Sequence, residues 1–149
     1  MNSNKIALVA IALWLVTIGV AVWFFVRGNT DAGTDGRTAI VLDAREHDLV
    51  LSEMRGLLLS IRDMLDGLNK NDMKQVAQAA RAGGMGVAAD LDAGLMAKLP
   101  ISFKQPGLKM HQRMDEIAAA AENGKQSPEI MSMMTDVCRV ASLVMHHGN

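Results

Sequence analysis

The sequence has only one cysteine and an almost balanced charge, and both facts exclude classes of protein. A single cysteine excludes a disulfide within the chain, and the lack of paired CxxC motifs argues against a structural zinc site. Fifteen basic and sixteen acidic residues give a formal net charge of −1, so nucleic acid is not a predicted partner. No segment alternates polar and apolar residues with a period of two, which argues against β-strands.

Signals of catalysis are missing as well. No nucleophile stands beside a base, no glycine-rich segment has the spacing of a phosphate-binding loop, and no acidic pair has a spacing suited to acid–base chemistry. We therefore predict that the protein is not an enzyme.

The sequence does contain a long apolar run near its start. Ile6 to Val26 are 21 consecutive residues without a charge, and at about 1.5 Å per helical residue they span the roughly 30 Å hydrocarbon core of a bilayer. Arg27 follows directly, without the small residues of a signal-peptide cleavage site. We predict an uncleaved transmembrane anchor at 6–26 in the inner membrane, with residues 1–5 as a cytoplasmic tail.

The rest of the chain divides into a linker and one domain. Residues 27–36 are rich in Gly, Asn, Thr and Asp and carry no periodic apolar residues, so we predict a flexible linker. The 113 residues of 37–149 suit a single core, and we expect this domain to lie in the periplasm.

Four amphipathic helices are predicted in this domain. The first begins at Asp43, with Glu46 as its capping partner, and the second begins at Asp72. The third is expected from about Gly107, and the fourth from Ser127. Their apolar residues recur at spacings of three and four, which places these methionines inside: Met54, Met64, Met114, Met131, Met134. Short connections then predict an all-α fold, an antiparallel up-down-up-down four-helix bundle.

This plan resembles the cytochrome c′ family, in which a CxxCH motif near the C-terminus holds a covalent haem. Roughly residues 40 to 147 follow it, in segments such as EHDLVLSEMRGLLLSI, DMKQVAQAARAGGMG and LMAKLPISFKQPGLKMH. The motif itself is incomplete in CRVASLVMHH. If Cys138 is the first cysteine, Ala141 and Ser142 stand where the second cysteine and the haem-binding histidine belong; if it is the second, Thr135 and Arg139 stand in place of the first cysteine and the histidine. No covalent haem is therefore expected. The resemblance marks Cys138, facing Met54 inside the bundle, as the relic of a haem pocket.

The four histidines suggest a second candidate site. In an up-down bundle the starts of the first and third helices and the end of the fourth lie at one end, which would gather His47, His111, His146 and His147 near the membrane. Together with nearby methionines they could bind copper or a noncovalent haem. Solvated histidines at helix ends are the simpler interpretation.

Two functions are therefore open. The first is a membrane-anchored cytochrome c′-like module that has lost covalent haem and binds a redox or sensory protein partner. The alternative is a redox or metal-binding protein that carries noncovalent haem or copper.

Overall fold

A computed structural model describes residues 3–34, 36–89 and 91–146 of the chain, and these residues are mainly helical. In chain order the elements are α1 (Ser3–Arg27), β1 (Thr30–Ala32), β2 (Thr38–Ile40), α2 (Ala44–Asn69), α3 (Met73–Ala82), α4 (Met85–Ala89), α5 (Ala93–Lys98), α6 (Ile101–Glu122) and α7 (Ser127–His146). The predicted all-α class is confirmed.

The first helix, α1, contains the predicted anchor. Its segment Asn4–Arg27 is long and apolar enough to cross a membrane, and none of its most apolar part is buried against the rest of the chain. The helix begins earlier than predicted, because Ser3 to Lys5 are already helical. Residues 1 and 2 of the predicted tail lie outside the described residues.

Part of the predicted linker at 27–36 is a short strand, β1, whose partner β2 lies just beyond it. β1 and β2 form an antiparallel hairpin in which Thr30 faces Ile40. The base of the hairpin is held from Asn29, whose side-chain amide donates to the Val41 carbonyl at 2.9 Å, while the Val41 amide donates back to the Asn29 carbonyl at 2.8 Å. These bonds join residues twelve apart, so local composition does not reveal them.

The helices α2, α3, α6 and α7 form the core of the domain, and the predicted caps at Asp43 and Asp72 are confirmed. The Asp43 carboxylate accepts from the Glu46 amide, and Glu46 returns the bond, so the predicted capping box is present. Asp72 caps α3 by accepting from the Gln75 amide. Gly124 follows α6 with a φ of +75°, the left-handed conformation expected at a helix end.

The main helix contacts join α2 to α3, α3 to α6, and α6 to α7. α3 is antiparallel to α2, because Val76 lies against Gly67 near the end of α2 while Gly83 lies near Leu57. It is antiparallel to α6, because Ala77 and Ala121 line one pocket while Gly83 lies against Met114. Small alanines of α3 allow this close packing. The buried apolar core is formed by Met64, Leu68, Val76, Ala77, Ala79, Ala80, Met114, Ile117, Ala118, Ala120, Ala121, Ile130, Met134 and Val137.

Two features differ from the predicted bundle. Within the described residues α2 and α7 do not pack extensively on each other, so the ring of four helices is not closed. In addition, α6 begins at Ile101 rather than near Gly107 and passes through Pro106. A proline this close to a helix start removes one backbone hydrogen bond, and the helix continues past it.

Candidate interaction surface

The residues predicted to form a relic haem pocket do not face each other. Cys138 is exposed on α7, and the Met54 side chain on α2 is 43% exposed. The prediction that both lie inside the bundle is therefore wrong. The physical reason is that α2 packs mainly on α3 and α7 mainly on α6, so the extensive packing of α2 on α7 that the prediction required is absent among the described residues.

The histidines are also placed differently from the prediction. His47 is exposed in the first turn of α2, and its Nδ1 atom lies 3.9 Å from Asp48. His111 is buried, and its Nδ1 atom donates to the Gly83 carbonyl at 2.8 Å. Because α6 begins at Ile101, His111 lies ten residues, or about 15 Å, from the start of the helix. The prediction had placed it one turn from the start.

His47 and His111 consequently do not share a site. His111 is bonded to Gly83, and Gly83 lies close to Leu57, because a Cβ atom added at Gly83 would touch the Leu57 side chain. Leu57 is ten residues, or about 15 Å, along α2 from His47. The side chain of His146 and all of His147 lie outside what the structure describes. Among the described residues no three His, Cys, Asp or Glu side chains are grouped to hold a metal ion.

The most unusual surface of the domain is a row of apolar side chains along α2. We call Leu51, Met54, Leu58 and Leu65 the α2 stripe. Leu58 is 67% exposed, Leu65 is 40% exposed, and Leu51 is partly exposed. Ile61 lies in line with them but packs against the core. A row of leucines along a helix that nothing covers is typical of a protein interface rather than of a soluble face.

Leu51 and Met54, in the first half of the stripe, are uncovered because α2 is much longer than α3; Leu58 and Leu65 lie beside α3 but are exposed on another face of α2. α2 has 26 residues, about 39 Å, whereas α3 has 10 residues, about 15 Å. The buried residues of α2 all lie in its second half, from Ser60 onward. The first half of α2 therefore extends beyond its main packing partner.

The start of α2 is fixed beside the end of α1. The ammonium group of Lys98, at the end of α5, lies 2.5 Å from Glu46 and 3.9 Å from Asp43. The carbonyl of the same lysine accepts a hydrogen bond from the Asn29 amide at 2.6 Å. The hydrogen bond to the Glu46 carboxylate, opposed by some burial, raises the pKa of Lys98. Lys98 thus joins α2 to the segment that follows the predicted anchor.

A second lysine, Lys104 in α6, contacts the end of α1 directly. Its side chain is only 7% exposed; the ammonium group donates to the Phe25 carbonyl at 3.3 Å and lies 4.0 Å from the centre of the Phe25 ring. A cation here is favoured by the negative end of the α1 dipole and by the aromatic ring. Burial lowers the pKa of Lys104. The contact fixes α6 against the predicted anchor.

Comparisons of the chain with protein-family models, with curated proteins and with solved structures found no match. The resemblance to the cytochrome c′ family therefore stays a prediction. Of the stripe residues, Met54 was predicted from the sequence to lie in the bundle interior, whereas it is exposed. One feature of the sequence could have indicated the exposed stripe: α2 carries more apolar residues than one neighbouring helix can cover.

Proposed function

We propose that the protein is a membrane-anchored interaction module: α1 crosses the inner membrane, and the domain binds a protein partner in the periplasm through the α2 stripe. The observation that carries this proposal is the exposure of Leu58 and its neighbours on a helix whose start is fixed beside the anchor. No haem is assigned to the module, because CRVAS lacks the residues of covalent attachment.

Burial of the stripe would supply the driving force for binding. Fully burying one leucine side chain is worth roughly 1.5–3 kcal/mol. Leu58 is two-thirds exposed and makes no hydrogen bond that binding would break, so covering it costs little. The same residues, left exposed, would promote nonspecific aggregation.

Photo-crosslinking from α2 tests this function. A benzoylphenylalanine would replace Leu58 in the full chain, and irradiation of spheroplasts should yield an adduct with a polypeptide. Leu59 supplies a matched control, because it is 51% exposed but projects from a different face of the same helix. We expect the Leu58 probe to give a strong adduct and the Leu59 probe to give little.

The same spheroplasts test the topology. Added protease should digest the domain, because it lies outside the cytoplasmic membrane. Adducts of equal yield from both probes, or from neither, would show that the stripe is not a binding surface. A domain that stays protected until the spheroplasts are lysed would contradict the periplasmic location.

A further inference from the structure

The spacing along the α2 stripe matches one kind of partner well. The stripe residues Leu51, Met54, Leu58 and Leu65, with the core-packed Ile61 in line between the last two, recur at spacings of 3, 4, 3 and 4, which is the seven-residue repeat of two-stranded coiled coils. Such a row pairs with another helix that has the same repeat. A second copy of the chain supplies one of the same length and composition.

We propose that the partner of the α2 stripe is the α2 stripe of a second copy of this chain, in parallel orientation. This inference rests on the proposed function and names its partner. Two copies inserted in one membrane have the same direction, and in each the start of α2 is tied through Lys98 to the residues after α1. The two α2 helices then begin at the same distance from the membrane and are parallel.

The charges beside the stripe also favour the parallel arrangement. Arg55 and Arg62 are exposed along one side of it, whereas Val50 and Leu57 lie along the other. In a parallel pair the arginine side of each helix faces the apolar side of its partner, where the arginine stems can pack. An antiparallel pair centred on Leu58 would bring Arg55 of each copy beside Arg62 of the other. Asp63 pairs with Arg62 at 2.6 Å and offsets part of this repulsion, so the charges favour the parallel pair only modestly.

The interface is small, which indicates where the dimer should form. The four stripe residues of each copy are far fewer than the roughly 20–30 residues per side of a standard protein interface. Dilute detergent solution should therefore contain mostly monomer. A shared membrane confines both copies and raises their effective concentration, which favours pairing without further contacts.

Disulfide cross-linking of the full chain in native membranes tests the proposal. The exposed Cys138 is first replaced in a Cys138→Ser background. Single substitutions Leu51→Cys, Leu58→Cys and Leu65→Cys are then compared with Leu59→Cys after mild oxidation. Because a disulfide requires Cβ atoms roughly 3.5–4.5 Å apart, we expect each stripe variant to give at least about fivefold more dimer than Leu59→Cys.

Each other outcome overturns a defined part of the proposal. If Leu58→Cys forms dimers but Leu51→Cys and Leu65→Cys do so only when mixed with each other, the helices are antiparallel. If no stripe variant dimerises more than Leu59→Cys, while the Leu58 photo-probe captures a different polypeptide, self-pairing is wrong and the proposed function stands. If the photo-probe gives no adduct either, both proposals fail. Circular dichroism of each variant confirms that the helices are intact.

Discussion

Asp43 is a single carboxylate that stabilises the start of α2. It accepts from the Glu46 amide at 2.9 Å, and this bond, with the nearby Lys98 ammonium, lowers the pKa of Asp43 below its ordinary value although slight burial opposes the shift. A carboxyl with a lowered folded pKa stabilises the fold above its unfolded pKa of about 3.9. This stabilisation disappears as the pH falls through the folded value.

We therefore expect the unfolding temperature of the detergent-solubilised chain to drop below about pH 4, and to drop less in Asp43→Asn, since asparagine caps a helix without titrating. Thermal unfolding followed by circular dichroism between pH 7 and pH 2 measures both. Asp66 and Glu122 also have lowered pKa values, but they are common to both proteins and cancel in the comparison. Identical acid dependence in the two proteins would show that Asp43 does not contribute.

At the residue scale, local rules of sequence worked where the interaction partner is near in the chain. The caps at Asp43 and Asp72 involve residues three positions away, and both were predictable. Met64, Met114 and Met134 are buried as predicted, but Met54 and Met131 are exposed. Helical periodicity identifies the apolar face of a helix; it does not tell whether another element covers that face.

At the element scale, Gly67 controls how closely α2 approaches α3. A Cβ atom at Gly67 would lie 2.9 Å from Cγ2 of Val76 and 3.1 Å from its backbone nitrogen. Gly67→Ala should therefore force the two helices apart and lower the free energy of unfolding by about 1–3 kcal/mol. Urea unfolding of the full chain in mild detergent, followed by circular dichroism, measures the change.

Gly56 in the same helix provides the control for this prediction. A Cβ atom there meets nothing within 4 Å, so Gly56→Ala should raise the free energy of unfolding by about 0.5–1 kcal/mol through helix propensity alone. The two substitutions should thus have opposite signs. A stabilising effect at both positions would mean that α2 and α3 are not in close contact at Gly67.

The start of α6 shows why a helix boundary could displace a predicted site. Pro106 and Gly107 are both helix-breaking residues, which favoured a start near Gly107, but the helix begins at Ile101 after the extended Pro100. The shift of six residues moves His111 away from the helix end and removes it from the predicted histidine cluster. Only the packing of α6 against α1 and α3 reveals that the helix continues through Pro106.

At the scale of the whole molecule, the sequence predicted which segments are helical better than it predicted which helices pack on one another. Four amphipathic helices and one long apolar helix were evident from composition and periodicity. The close packing of α2 on α3 depends on the small alanines of α3, which a general bundle pattern does not contain. The candidate site was missed for a related reason: the stripe is visible only once the exposure of Leu58 and its neighbours is known.

Gly28 lies at the junction of the predicted anchor and the domain, directly after α1. Its φ is +67°, and a Cβ atom would lie 2.5 Å from both the Lys98 carbonyl oxygen and the Pro100 nitrogen. Gly28→Ala should break the hydrogen bond from the Asn29 amide to Lys98, which is 2.6 Å long in the wild type. A loss of about 1.4 kcal/mol of local stability corresponds to roughly tenfold faster hydrogen exchange at Asn29.

Nuclear magnetic resonance of the full chain in micelles measures this exchange, and Gly36→Ala is the matched control. Gly36 also has a left-handed φ, of +81°, but a Cβ atom there meets nothing within 4 Å. Both variants therefore carry the backbone strain of a left-handed alanine. Only Gly28→Ala also clashes with Lys98 and Pro100. Faster exchange at Asn29 in Gly28→Ala, and not in Gly36→Ala, is expected if the junction presets the height of α2 above the membrane. Equal exchange in Gly28→Ala and wild type would mean that the anchor does not position α2, and the argument for parallel pairing would lose its geometric basis.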